Sequence, residues 1–179
     1  IQIVYGQTET SPVLTQTWHE DSEEDLTQTI GQPAPNTEIS IRNPATNAVV
    51  PVGDQGEICA RGYQVMLGYN DNPEATAKTI DAEGWLHTGD LGRMDARGYV
   101  KITGRVKEMI IRGGENIYPA EIENTLLEHP AIAEIAVVGV PDEKWGEQVA
   151  CFMRCAGGDK PTPAELKAFI RERLAAQKT

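Results

Sequence analysis

Four short stretches of this sequence carry side chains suited to chemistry. Tyr5-Gly6-Gln7-Thr8-Glu9 sets an aromatic, a glycine, a hydroxyl and a carboxylate within five positions at the end of an apolar run. An aromatic can lie against a base, Gly6 lets backbone approach closely, Thr8 can reach a phosphate oxygen, and Glu9 is a hard oxygen ligand for Mg2+. His87-Thr88-Gly89-Asp90 presents a carboxylate just after a glycine, and one acidic side chain can accept both hydroxyls of a ribose. Arg105 and Lys107 place two cations on Gly104-Arg105-Val106-Lys107. The run IIRGGENIYP, residues 110–119, turns on Gly113 and Gly114 ahead of a proline. It lacks the spacing of the known phosphate loops, so it is not itself a triphosphate cradle. Taken singly, each stretch has a plainer reading: an exposed turn, a turn-capping Asp, a solvated strand end.

Elements must hold these residues in place. IQIVY reads as a buried strand entering the turn GQTETSP, and further strands are expected at Glu38–Arg42 and Glu57–Arg61, punctuated by Gly, Pro and Asn. Asn72 caps a short helix over Pro73–Thr79, with proline at its first position. GWLHTGD reads as a loop, and the turn Asp95–Gly98 leads into a strand over Tyr99–Thr103. Past Gly104 the pattern becomes strand, helix from Pro119, strand at Ile132–Val138, strand at Val149–Arg154, and helix. That last helix opens on the capping-box spacing of Thr162 and Glu165 and gathers Leu166, Phe169, Ile170 and Leu174 on one face. The fold class is α+β, with a β-rich part over residues 1–104 and a small α+β part over 105–179.

Bulk properties narrow the function classes. With 27 acidic and 16 basic side chains in 179 residues, the formal charge is −11, which gives no footprint for nucleic acid or an anionic membrane surface. No run approaches transmembrane length. Cys59, Cys151 and Cys155 form neither an even disulfide set nor a CxxC pair. The apolar context VACFMRC suggests free buried thiols, and a reduced, cytoplasmic setting follows. His19, His87 and His129 show no ligand spacing, Trp85 and Trp145 read as packing residues, and the acidic run Asp21–Asp25 reads as solvated surface. Ile1 opens the sequence inside an apolar run without an initiator Met, and the far end stops on a charged helical stretch; the expectation is a piece of a longer protein.

Order and spacing add what the single stretches lack. YGQTE, GEICARG, GWLHTGDLG and GYVKITGRVKEMIIRGGENIYPAEIE, in that sequence, resemble the downstream half of the adenylate-forming enzymes, which include acyl-CoA synthetases, aryl-CoA ligases, luciferases and peptide-synthetase adenylation domains. The resemblance runs from Tyr5 to about Arg173. EMIIRGGENIYPAEIE is similar to the CoA-ligase branch, and TETSPV, RGYQVMLGY and GGENIYPAEIE resemble medium- to long-chain fatty acyl-CoA synthetases. Fatty acyl-AMP ligases are a neighbouring group, and a non-catalytic, nucleotide-binding pseudoenzyme is the alternative from another class.

The resemblance implies the tail of a large AMP-binding domain followed by a small mobile one. It implies a ligase that joins a small-molecule carboxylic acid, a fatty acid by the nearest resemblance, to CoA, with ATP and Mg2+, through an acyl-adenylate. Carried over by motif, Tyr5 and Gly6 sit by the adenine, Thr8 meets the α-phosphate, Glu9 binds Mg2+, and Asp90 holds the ribose diol with Arg105 beside it. Lys107 matches the hinge about which the small domain rotates between half-reactions. Gly113 and Gly114 line the pantetheine tunnel for CoA. The family's phosphate loop and catalytic lysine are expected before Ile1 and after Thr179, so this chain alone is expected not to catalyse adenylation.

Overall fold

The computed structural model describes residues 1–157 and 160–174. It divides into two compact units, Ile1–Val106 and Lys107–Thr179.

The first unit begins with β1 (Val4–Tyr5), β2 (Thr15–Gln16), α1 (Glu23–Gln28) and β3 (Gln32–Pro33), and the three short strands form one antiparallel sheet in that order. Next come β4 (Thr37–Arg42), β5 (Gly56–Gly62), α2 (Pro73–Thr79), β6 (Leu86–Met94) and β7 (Val100–Arg105). These four strands make an antiparallel sheet in sequence order. Ile41, Ile58, Leu86, Leu91 and Val100 are buried, and β5, which has a strand on each edge, is buried from Gly56 through Ala60, on both of its faces. A central strand so enclosed can hold a charged residue only if it is paired, and Glu57 lies in that stretch. Helix α2 starts as its sequence requires: the Asn72 side chain accepts the Ala75 amide at 3.0 Å, and Pro73 follows.

The second unit contains β8 (Ile110–Arg112), β9 (Glu115–Ile117), α3 (Pro119–Leu127), β10 (Ile132–Asp142), β11 (Gly146–Cys155) and α4 (Pro163–Arg173). Its sheet runs β10-β11-β8-β9, antiparallel throughout. Two helical pairs spaced by four, Ile122 with Leu126 and Leu166 with Ile170, pack with Ile110, Ile117, Ile132 and Val137. The capping box of α4 is present, with Thr162 accepting from the Glu165 amide and Glu165 accepting from the Thr162 amide. Any helical continuation after Leu174 lies outside the described residues. No helix of the described residues is long and apolar enough to cross a membrane.

Some local expectations change. The expected first strand shrinks to Val4–Tyr5. The stretch expected as a loop at GWLHTGD is largely the start of β6, a nine-residue strand. The acidic run is not simply solvated: Ser22 caps α1, Asp25 is buried, and its carboxylate accepts two Arg97 hydrogen bonds at 3.0 and 2.8 Å. Asp21 accepts the Tyr99 hydroxyl at 2.5 Å. Of the three thiols only Cys59 is buried; Cys151 is exposed and Cys155 intermediate, and Cys151 lines, with Val149 and Met153, a cavity left open between β11 and the helix residues Ile122, Leu126, Leu166 and Ile170.

Candidate functional site

Asp90 owes its position to a bulge. Between two paired points β5 advances two residues, Glu57 to Cys59, while β6 advances four, from Leu91 back to His87. Thr88, Gly89 and Asp90 lie opposite the single residue Ile58, and such irregularities re-aim side chains and leave ladder groups to be satisfied otherwise. Thr88 supplies part of that: its hydroxyl donates to the Ile58 carbonyl at 2.7 Å and accepts the Asp90 amide at 3.1 Å. The Asp90 carboxylate accepts the Tyr5 hydroxyl at 2.8 Å on one oxygen and lies 3.3 Å from Arg105 Nε on the other. Arg105 stands opposite Asp90 in the β6–β7 register. The Asp90 side chain is 19% exposed and that of Arg105 56%, a carboxylate recessed beside a solvated cation. Burial first, then the Asp90 charge and hydrogen bond, push the Tyr5 phenol well above its usual range against the opposing Thr88 contact. Tyr5 is therefore a donor to Asp90 at neutral pH.

Gly6 lets the chain fold back after Tyr5. A Cβ at this position would sit 1.6 Å from the Pro12 carbonyl oxygen, where the Tyr5 carbonyl accepts the Leu14 amide at 2.7 Å. The turn at Thr8–Thr10 is a single 3-10 turn pinned by buried Thr10, whose hydroxyl accepts the Gln7 amide at 3.0 Å. Thr8 is left exposed. The Glu9 carbonyl accepts the Met66 amide at 2.8 Å, and Glu9 Oε1 accepts the Tyr69 hydroxyl at 2.8 Å. Among the described residues the second Glu9 oxygen has no hydrogen-bond donor. A carboxylate with one oxygen anchored and one open suits Mg2+, which is commonly held by one or two carboxylates plus substrate phosphates.

The remaining candidates lie at the start of the second unit. Lys107 is exposed within the 3-10 turn Val106–Glu108. Gly113 and Gly114 form the β8–β9 turn. Gly113, at φ +61, would place a Cβ 2.7 Å from the Trp145 ring, whereas a Cβ on Gly114 would meet nothing within 4 Å. Gly113 therefore has a local packing reason to be glycine, and Gly114 borders open space. Trp145 is 40% exposed, with Lys144 4.7 Å and Arg112 5.7 Å from its ring centroid. Trp85 is packed as expected, between the guanidinium groups of Arg42 and Arg61 at 4.6 and 4.5 Å.

Three residues near the site escape sequence reasoning: Glu57, His87 and Tyr69. Glu57, 7% exposed, accepts the Gly89 amide on Oε1 at 3.0 Å and meets His87 Nδ1 on Oε2 at 2.7 Å. Asp81 lies 3.6 Å from His87 Nε2. Glu57, Cys59 and His87 bring three possible metal-binding atoms within 4.8 Å. The 2.7 Å contact is that of a hydrogen bond, however, and shorter than the roughly 3.3 Å expected between two ligands about 2.0 Å from one tetrahedral ion. Burial, with help from Glu57, pushes the Cys59 thiol up to about 12, which opposes thiolate ligation. The cluster is a hydrogen-bonded support. Its members lie in the stretches GEICARG and GWLHTGDLG, and the local signal of its role is a glutamate in an otherwise apolar strand.

Comparison with known proteins bears on this geometry. Residues 1–70 match the model of the AMP-binding enzyme family, and residues 121–179 match that of the AMP-binding enzyme C-terminal domain. The chain belongs to the AMP-binding enzyme family. A Bacillus subtilis (strain 168) protein named as an acyl-CoA synthetase, YngI, is 51% identical over 99% of this chain and 32% of its own length. The mitochondrial medium-chain acyl-CoA ligase ACSF2 of Bos taurus is 43% identical over 97% of this chain and 28% of its own length. ATP-bound MatB from Rhodopseudomonas palustris superposes with a TM-score of 0.88 at 34% identity, covering 100% of this chain and 35% of that one. The chain thus spans about a third of the length of the relatives it matches. Its fold is the α+β fold of adenylate-forming enzymes.

Proposed function

We propose that the protein carrying this chain is an ATP-dependent, AMP-forming acid–thiol ligase acting on a fatty acid. In the first half-reaction the substrate carboxylate attacks the α-phosphate of ATP, giving acyl-AMP and releasing pyrophosphate. In the second, the CoA thiol displaces AMP and forms the thioester. The observation that carries the reading is the Asp90 carboxylate, recessed on the β6 bulge between the Tyr5 hydroxyl and Arg105. It is placed to accept a ribose diol, with Tyr5 fixing one oxygen and leaving the ring beside the nucleotide. Thr8, exposed on its turn, offers a hydroxyl to the α-phosphate. Glu9 would hold Mg2+, and the ion supplies neutralising charge on the phosphates. In the second unit Gly114 borders open space, which suits passage of a pantetheine arm, and Lys107 is the proposed hinge.

Family membership and the names of the two relatives support the acid–thiol chemistry, and the medium-chain relative supports the fatty substrate. Since the chain covers about a third of those relatives, we also propose that it does not complete adenylation by itself. The test is pyrophosphate release by the complete protein with ATP, Mg2+ and straight-chain acids from acetate to palmitate. A rate maximum among the medium or long acids is expected. Turnover of acetate alone would remove the fatty-acid assignment, and pyrophosphate release by this chain alone at the full protein's rate would remove the incompleteness.

A further inference from the structure

We infer that Glu57 is a positioning residue for nucleotide recognition: it clamps the β6 bulge that aims Asp90. The bulge frees polar groups from the sheet ladder, and a segment with unsatisfied groups has no reason to keep one shape. Glu57 satisfies two of them at once. One carboxylate oxygen takes the Gly89 amide at 3.0 Å, the residue just before Asp90, and the other takes His87 Nδ1 at 2.7 Å, three residues before it. Thr88, between them, ties back to the Ile58 carbonyl and forward to the Asp90 amide. Each residue from His87 to Asp90 is therefore bonded to β5 or to a neighbour that is. At 7% exposure Glu57 has little water to exchange for these partners, so the clamp is held more tightly than a surface pair would be.

Its neighbours fit a device for holding geometry rather than for chemistry. Among the described residues Glu57 makes its hydrogen bonds and ion pair to Gly89 and His87 and none to Tyr5, Arg105 or Glu9, so it acts on the proposed ribose site through the bulge. Asp81 flanks the far nitrogen of His87 at 3.6 Å, and the Asp81 carboxylate accepts the Trp85 and Glu83 amides. The imidazole is thus held between two carboxylates that are each anchored to backbone. Loosening Glu57 should leave the ribose carboxylate present but badly aimed, which weakens a two-hydroxyl contact more than a one-point contact.

The inference rests on the reading of Asp90 as the ribose acceptor, and one experiment separates the two. Calorimetric dissociation constants for ATP and for 2′,3′-dideoxy-ATP, which lacks the diol, are measured on the complete protein with and without Glu57→Gln. A general loss of folded protein lowers the binding stoichiometry and leaves the ratio of the two constants unchanged, so that ratio reports aim alone. The unsubstituted protein is expected to prefer ATP by roughly 30-fold or more, and Glu57→Gln to cut that preference about fivefold while its affinity for the dideoxy nucleotide stays within about twofold. His87→Leu, on the more exposed half of the clamp, should reduce the preference likewise, and His87→Asn, which keeps a donor near the Nδ1 position, should restore most of it. If Glu57→Gln yields no folded protein, the His87 pair decides by the same ratio. Equal affinity for the two nucleotides in the unsubstituted protein overturns the Asp90 reading and this inference with it. A full preference retained in Glu57→Gln and His87→Leu overturns the role of Glu57 alone.

Discussion

Replacing Asp90 by Ala should weaken ATP binding far more than it weakens the fold. The carboxylate has two partners, the Tyr5 hydroxyl at 2.8 Å and Arg105 Nε at 3.3 Å. The Arg105 side chain is 56% exposed, so losing that pair costs little in water. Tyr5 loses its acceptor in a half-buried setting, a cost of about 1 kcal/mol. The ligand loses more. A ribose diol donating to one recessed carboxylate makes charge-assisted bonds worth about 1.5–3 kcal/mol each, and with partial competition from water the net loss is about 2–3 kcal/mol. That corresponds to a roughly 30- to 150-fold rise in the apparent KM for ATP. Asp90→Asn keeps one acceptor and should fall between. Pyrophosphate release at varied ATP and saturating acid reads the effect, with the KM for the acid as the internal control. An unchanged KM for ATP, or equal loss toward acid and ATP, refutes the reasoning.

Lys107→Pro should spare acyl-AMP formation and slow thioester formation at least ~10-fold, because proline stiffens the exposed turn Val106–Glu108; equal loss in both half-reactions would contradict the hinge assignment. Arg97→Met should lower the melting temperature at pH 7. Hydrogen bonds from Arg97, aided by Ser22, hold the Asp25 carboxyl below its usual range, so the pair's contribution is present above the unfolded value of about 3.9 and is lost as pH falls through the lower folded value. The melting difference between Arg97→Met and the unsubstituted protein should therefore narrow below about pH 4, and a difference independent of pH would contradict the pairing. Cys59, buried and with its thiol pushed up to about 12, should resist alkylation at pH 8 until the protein unfolds, while Cys151, exposed though partial burial and Glu123 also push its thiol up, should react slowly in the folded protein and still well ahead of Cys59; peptide mapping after a timed iodoacetamide pulse distinguishes the two.

Local signals carried the parts of this fold that are local. Asn72-Pro73 named its helix end to end, Thr162 and Glu165 announced theirs, and short strand signals bounded by Gly, Pro and Asn placed β4 and β5 within a residue. The rest depends on partners distant in sequence. The segment from His87 to Asp90 reads as a loop because its glycine and polar residues are loop residues; that it is a bulge follows only from its register against Glu57–Cys59, thirty positions away. Asp25 reads as surface charge until Arg97, 72 residues on, closes over it. Glu57 stands in the stretch GEICARG with no role attached to it, and its work becomes visible only when two strands bring His87 and Gly89 to its carboxylate. The site was legible differently again: Tyr5, Asp90 and Arg105 came from the order of motifs, and the structure gathers those three, whereas Tyr69 lies in the quoted stretch RGYQVMLGY but its bond to Glu9, 60 residues away, was not legible there.

The central claim is a two-step acid–thiol ligation through an acyl-adenylate, and a staged single-turnover experiment on the complete protein tests it most directly. Enzyme, ATP, Mg2+ and octanoate are mixed without CoA, the bound product is identified by mass, and CoA is then added. Octanoyl-AMP with one pyrophosphate released is expected first, followed by octanoyl-CoA and AMP in equal amounts only after CoA arrives. Release of ADP and phosphate, or an adenylate that CoA never discharges, would contradict it.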